Sequence, residues 1–468
     1  IFEYALDILE TVGVSTDDAY TLNLMDRAGA NIDHKNKVMK FPPELVKEAL
    51  KNTPHSFELF GRDEKIRVKF GSGKTYWTGC VAKKILDGDV ARQPTRKDAE
   101  DYTRISDRCE SCHLVFPIKG WAESEVADPI LTPLLEFDVT VRNTTKPFMN
   151  EVMKETDDGK IGRYVLEMAA AVRGSYEELR KKPLMHVGKC LVSPLTWPKE
   201  ALVWNRIYVT NEQPVFIECE EIQAASSPAT IAGTLLQNTA EVMSGVTIFQ
   251  QYRKGAAIGC TFGAVDLLNP RTGDVISTSP EIALVTAAGT QMAHFLGLPM
   301  HCRASSDSKV PDGQAVYEQC LVALTAAITG ADLVFMHGSI DGANVMSLEQ
   351  FVIDDEVAKM IDCIVNGVEV NDETLAVDTI KKVGIGNYYL SQKHTLKHVR
   401  DWFFPSITNR DSRARWEASG RKHIVAVATE RVKEILAKHQ PEPIDNDVSN
   451  RLKIIIERAN KDIICTRQ

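Results

Sequence analysis

The chain has 468 residues, 44% of them hydrophobic and 25% charged, the balance of a large soluble enzyme. Its 64 acidic residues against 55 Lys and Arg leave a net charge of −9, which argues against a general nucleic-acid or anionic-membrane surface. No apolar run approaches the roughly 20 residues that span a bilayer, and the ten cysteines, mostly scattered singly, read as reduced thiols of a cytoplasmic protein.

Residues 1–60 carry helical periodicity in "IFEYALDILETVGV", in "STDDAYTLNLMDRAGA" after a Ser-Thr-Asp-Asp start, and in the proline-initiated "FPPELVKEALKNTP". The alternating, turn-rich "SFELFGRDEKIRVKFGSGKTYWTG" predicts short strands, and its "GSGK" lacks the spacing of a phosphate-binding loop. "CESCH" at 109–113 matches a haem-attachment pattern. As a single copy abutting an apolar run, it reads better as two reduced thiols at a helix–strand junction.

From about residue 113 strand-length apolar runs alternate with amphipathic helices. The strands read as "LVFPI", "PFMNEV", "PLMHVGKC", "PVFIECE", "GAAIGCTFG", "PMHCRA" and "DLVFMHG", with helices such as 228–246, 279–297 and 312–330 between them. Continuous apolar strands separated by helices signal a parallel sheet covered on its faces. Seven in one block predict an α/β protein built on a (β/α)8 TIM barrel rather than two dinucleotide-binding halves. The expected organisation is an N-terminal helical and short-strand extension over 1–112, the main part of the barrel over 113–366, and a C-terminal aromatic, basic cover with helices over 367–468.

In such a barrel the C-terminal strand ends converge on one rim, where active sites are built. Several of these strands end in polar or aromatic residues: Glu151, His186 with Lys189 and Cys190, Glu218 with Glu220, Thr261 with Phe262, Arg303, and His337. His337 opens the glycine-spaced loop "HGSIDGANVM", one segment of the expected active-site wall. Farther on, His394 and His398 stand at i, i+4, but no third metal ligand is apparent, so no metal is expected. The aromatic, arginine-rich stretch around Trp402 and Trp416 suggests a packed contact, and with it a homo-oligomer.

The stretches "SSPATIAGTL", "STSPEIAL", "SSDSKVPDGQAVYEQ", "SLEQFVIDDE" and "HTLKHVRDWFFPSITNR" resemble the trimethylamine methyltransferase family of corrinoid-dependent enzymes, over essentially the whole length. The resemblance implies a TIM barrel and a methyl acceptor that is the Co(I) corrinoid (cobalamin) of a partner protein. The family's founding members carry pyrrolysine in a barrel loop; "SIDGANVM" holds no candidate for it. The sequence therefore resembles the non-pyrrolysine members, which implies a quaternary amine substrate, glycine betaine first, then proline betaine, carnitine or γ-butyrobetaine.

A quaternary nitrogen already carries a neutral leaving group, so the task is to hold one methyl in line with cobalt and exclude water. Aromatic faces suit a cation whose charge fades during transfer. Rim position nominates Tyr76, Trp77, Trp121, Tyr252 and Phe262 for that cage. It nominates His186, His337 and Asn344 to orient a substrate carboxylate or line the corrinoid approach, with Gly338 and Ser339 beside the corrinoid. Ser226, Ser227 and Ser305–Asp307 are helix-start candidates for an anion. Two other readings remain in view: a barrel lyase or hydrolase using rim His and Glu as acid and base, and a non-catalytic betaine-binding protein.

Overall fold

A computed structural model describes residues 1–80, 82–126, 128–151, 155–156 and 158–467; of residues 464–467 it describes the backbone alone. The predicted strand–helix alternation closes into one barrel. Its eight parallel strands are β1 (Tyr76–Gly79), β2 (Cys112–Leu114), β3 (Phe148–Met149), β4 (Met185–Cys190), β5 (Val215–Glu218), β6 (Ile258–Thr261), β7 (Met300–Arg303) and β8 (Leu333–His337). They follow the order β3-β4-β5-β6-β7-β8-β1-β2, and a parallel bridge between Val115 and Phe148 joins the two ends.

The helices that follow the strands are α1 (Arg96–Arg108), α2 (Thr132–Asn143), α3 (Lys160–Arg173), α4 (Lys199–Thr210), α5 (Ile231–Tyr252), α6 (Pro280–Leu296), α7 (Gly313–Thr329) and α8 (Leu348–Val365). Side-chain caps start several of them: Thr95 and Asp98 form a reciprocal capping box on α1, and Ser279, Asp312 and Ser347 cap α6, α7 and α8. Two more helices, α9 (Ile424–Lys438) and α10 (Asn446–Arg467), close the chain. No helix among the described residues is long and apolar enough to cross a membrane.

Barrel strand β1 lies inside the 1–112 stretch read from sequence as an extension, so the sheet begins there rather than near residue 113. The predicted N-terminal helices are present as Phe2–Thr11, Ala19–Arg27 and Pro43–Asn52, and the first and third lie against α5. The predicted short strands Phe57–Phe60 and Arg67–Phe70 form a hairpin. Its Leu59, Val68 and Phe70 are buried with Tyr76, Leu114, Phe216 and Leu333 in one cluster inside the barrel. Tyr76, Phe216 and Leu333 stand at the first or second position of their strands, so the hairpin plugs the N-terminal mouth. Burying these apolar side chains at about 25 cal/mol per Å² makes the plug a stabilising part of the barrel core.

Cys109 caps the C-terminus of α1 and Cys112 begins β2, the helix–strand junction expected of the thiol pair. Both are buried and unbridged, and burial raises both thiol pKa values.

Candidate functional site

Because side chains alternate along a strand, every second residue points into the barrel. On β5 the inward series is Phe216, Glu218 and then Glu220; on β7 it is His301 and Arg303; on β8 it is Leu333 and Phe335. The upper members, with Cys80, Lys83, Phe116, Met149, Glu151, Cys190 and Ala264, line a cavity of about 260 Å³ at the C-terminal mouth. That volume suits a small molecule. Gly342, Ala343 and Asn344 complete the wall.

Small residues make room for the charged groups. A Cβ on Gly188 of β4 would lie 2.2 Å from Glu218 Oε1, so the absent side chain is what lets the carboxylate stand there. Thr261 Oγ1 donates to Glu218 Oε2 at 2.8 Å, and His301 Nε2 lies 2.9 Å from the same oxygen. Burial alone would raise the Glu218 carboxyl; the His301 imidazole and the two hydrogen bonds outweigh it and hold it below the usual range. His301 Nδ1 is buried without a hydrogen-bond partner.

The other two carboxylates behave oppositely. Glu220 is open to the cavity yet surrounded by protein deep in the mouth; desolvation first, then Glu151, Glu218 and Asp266, push its carboxyl up to about 7 against the pull of Arg303. Burial likewise raises Glu151, with Lys119 opposing. Arg303 is ion-paired with Asp266, and although burial works against its charge, Asp266 and Glu220 more than restore it.

The loop after β8 is held in an uncommon backbone form. Asp341, Gly342 and Ala343 have φ values of +53°, +62° and +66°, left-handed in three successive residues. Asp341 and Gly342 donate their N–H groups to Ser308 and Ser306 carbonyls at 2.8 Å each, which over-determines the strained turn. Strain of this kind is stored where a wall must be shaped, and here it brings Asn344 to the cavity.

The residues nominated from sequence are dispersed. Asn344 lines the cavity, as do the strand-end residues Glu151, Cys190, Glu218, Glu220 and Arg303. His337 does not: the ladder slips between Phe335 and His337, and the imidazole turns outward, its centroid 5.0 Å from Phe351 of α8 and Nε2 2.8 Å from Ser111 Oγ. Gly338 donates to Asp354 and the Ser339 carbonyl accepts from Gln319, so both tie β8 to its flanking helices. His186 points inward below the cavity, fully buried against Phe216, with neither ring nitrogen hydrogen-bonded and burial depressing its pKa to about 3.

None of the five nominated aromatics lines the cavity. Tyr76 points inward at the lower layer between Phe70 and His113. Trp77 faces outward and donates to Asp362 of α8. Trp121 lies under the Arg96 guanidinium. Tyr252 ends α5 and so sits at the opposite mouth, bonded to Thr21. Phe262 faces α6, which approaches so closely that a Cβ on Gly289 would lie 2.3 Å from its own Cβ. The cavity aromatics are instead Phe116 and Phe335, edge to face at 5.6 Å. Both lie in apolar runs read as strands, "LVFPI" and "DLVFMHG", as does His301 in "PMHCRA", but a continuous apolar run does not say which residues face inward. Lys83 carried no such signal.

A family model described as trimethylamine methyltransferase matches residues 1–463. Trimethylamine methyltransferase MttB2 of Methanosarcina mazei is 32% identical, over 97% of this chain and 92% of its own length. Glycine betaine methyltransferase of Desulfitobacterium hafniense is 28% identical, over 99% and 96%. Among solved structures, the monomethylamine methyltransferase of Methanosarcina barkeri superposes with a TM-score of 0.50 at 10% identity, covering 98% of this chain and 96% of that one; this concerns the fold alone.

Proposed function

The chain belongs to the trimethylamine methyltransferase family, and from this premise we propose that it moves a methyl group from a carboxylated quaternary amine, glycine betaine as the first choice, to the Co(I) corrinoid of a partner protein. The observation that carries the substrate class is the mixed lining of one small cavity. Phe116, Phe335 and three carboxylates suit an ammonium, while Arg303 and Lys83 suit a carboxylate. Trimethylamine has no group for the two cations to hold.

The carboxylates need a physical account, because a fixed negative charge beside the nitrogen stabilises a cation that the reaction discharges. Glu220, pushed up to about 7, carries less of that charge near neutral pH than an ordinary carboxylate would, and burial works against the charge of Glu151 as well. Glu218 is already engaged by His301 and Thr261. The aromatic faces hold the ammonium more gently, at about 0.5–2 kcal/mol each. In the transfer, the N–CH3 bond breaks with its electron pair left on nitrogen, and the Co(I) pair forms the new Co–CH3 bond. The leaving amine is neutral and needs no proton at that step. The residues of this chain bind, orient and exclude water.

The test is absorbance of reduced free cobalamin with the chain and each of glycine betaine, proline betaine, carnitine, γ-butyrobetaine and trimethylamine. The expected result is conversion of Co(I) to methyl-Co(III) with one carboxylated quaternary amine. Conversion with trimethylamine alone overturns the substrate class. The Glu218–His301 pair is the one observation that favours acid–base chemistry instead; consumption of a substrate without any cobalamin would establish that reading.

A further inference from the structure

Alternation at the end of β5 has a second face. Glu220 lines the cavity, so Cys219 and Glu221, on either side of it, turn away from the barrel interior and onto α5. There they meet Glu241 of that helix. All three side chains are fully buried, and one donor atom of each, a sulfur and two carboxylate oxygens, lies within 4.8 Å of the other two. The helix is close here: one turn farther on, a Cβ at Gly245 would lie 2.7 Å from Ile217 Cδ1.

Three acidic side chains in a core need compensation. Hydrogen bonds supply part of it. Glu241 accepts from Ser193 Oγ and the Leu195 N–H at 2.8 Å each, and from Gln237 Nε2 at 3.1 Å. Asn238, 1% exposed, donates Nδ2 to Glu221 Oε2 at 2.9 Å. Two acceptors are left over, Glu221 Oε1 and Asn238 Oδ1, both buried without a partner. A proton shared between the two carboxyls answers the first and not the second. Among the described residues no cation acts on either carboxyl or on the thiol, and burial pushes all three up.

From this cluster we infer a structural metal site, in which Cys219 Sγ, Glu221, Glu241 and Asn238 Oδ1 hold one divalent ion of the zinc class. A thiolate donor selects zinc over the harder magnesium and calcium. Zn–S of about 2.3 Å and Zn–O of about 2.0–2.2 Å set tetrahedral donors about 3.4–3.6 Å apart, so the side chains close in by about 1 Å around the ion. Four protein donors leave no open position, which makes the ion structural rather than catalytic. As it enters, the thiol proton and the proton shared by the carboxyls leave. Two positive charges replace two, so the net charge behind Glu220 is unchanged. The effect on the cavity is mechanical: ligands on both sides of Glu220 pin the strand end that carries it, and Glu241 ties in the loop after β4. The sequence predicted no metal because these donors fall on a strand end and the following helix, outside any local ligand spacing. The inference is independent of which amine is the substrate.

The test is metal analysis of the full chain, stripped with a chelator and reloaded with Zn2+ alone, beside absorbance of the same protein loaded with Co2+, where a bound thiolate gives a charge-transfer band. The expected result is one equivalent per chain, a thiolate band, and a higher Tm on loading. Cys219→Ala, a small apolar replacement, abolishes the band and weakens Zn2+ binding by ~100-fold or more, beyond the effect of losing an outer-shell partner. Glu221→Gln, which keeps the side-chain volume, weakens binding as well and serves where Cys219→Ala fails to fold. Cys363→Ser removes the exposed thiol and changes neither readout. A wild-type chain that takes up less than one equivalent overturns the inference. So does a thiolate band that survives Cys219→Ala, or Zn2+ affinity that neither Cys219→Ala nor Glu221→Gln alters.

Discussion

The Glu220 carboxyl gives the sharpest expectation for substrate binding. Its pKa of about 7 makes it half ionised in the neutral range, in a cavity read as holding an ammonium. An ammonium ~6 Å from a carboxylate gains about 3 kcal/mol at an effective dielectric of 20. Glu220 is open to cavity water, and screening of exposed pairs cuts this to ~1 kcal/mol, roughly fivefold in affinity. The protonated form prevails below pH 7 and the charged form above it, so affinity for a cationic substrate rises with pH. KM for the betaine should fall about threefold between pH 6 and 8, and kcat at saturation should fall with it, because the charge that holds the ammonium is one the transfer must discharge against. In Glu220→Gln the pH dependence disappears and KM stays at the low-pH value. The assay is initial-rate methylation of reduced cobalamin across that range. A Glu220→Gln enzyme with an unchanged pH profile of KM would refute the reasoning. The same shift has a stability sign: the native state binds the proton more tightly than the unfolded chain between the usual carboxyl range and pH 7, so Glu220→Gln should raise Tm at pH 8.

Replacing Arg303 with Met, together with Asp266→Asn so that no acid is stranded, should raise KM for carboxylated amines by ~10-fold or more; choline, which lacks the carboxylate, provides the comparison and should respond little. Phe335→Ala should cost about 3–5 kcal/mol of stability in urea titration, beyond any loss of binding, because the ring is buried against Phe116 and His301. Gly188→Ala should displace the Glu218 carboxylate and lower kcat/KM more than stability, read by comparing turnover with Tm. His113 and His186 are held by burial at about 3 and His337 at about 4, so the unfolded chain binds more protons below pH 6.5. Each should then contribute a loss of ~1.4 kcal/mol per pH unit as pH falls through that window, seen as a steep decline of Tm that His186→Phe makes shallower.

What the sequence makes legible here follows from what topology alone decides. Parallel strands bring their C-terminal ends together whatever the register, so Glu151, Glu218, Glu220 and Arg303 were found on the rim simply as strand ends. The choice of face is a finer matter. It depends on a period-two register that one slipped residue reverses, and the slip between Phe335 and His337 carried the histidine out of the barrel and onto α8. Trp77 and Phe262 fall one step from inward neighbours, Tyr76 and Thr261, and one step is the whole difference between cavity and helix. Tyr252 was misplaced for another reason: it ends a helix, and helices in this fold return to the opposite mouth. The left-handed turn at Asp341–Ala343 had only Gly342 to announce it, flanked by residues that adopt that conformation against their preference.

The hairpin that stoppers the N-terminal mouth governs the order of events as well as the core. Among the described residues, a barrel filled at its base by Phe70 and its neighbours opens at the strand ends. On the proposed chemistry, the amine, the demethylated product and the approaching cobalt all share that opening. Amine must therefore be loaded before the corrinoid protein seats, and product leaves only after that protein departs. Steady-state kinetics should show compulsory order, with excess corrinoid protein inhibiting by sealing an empty chamber.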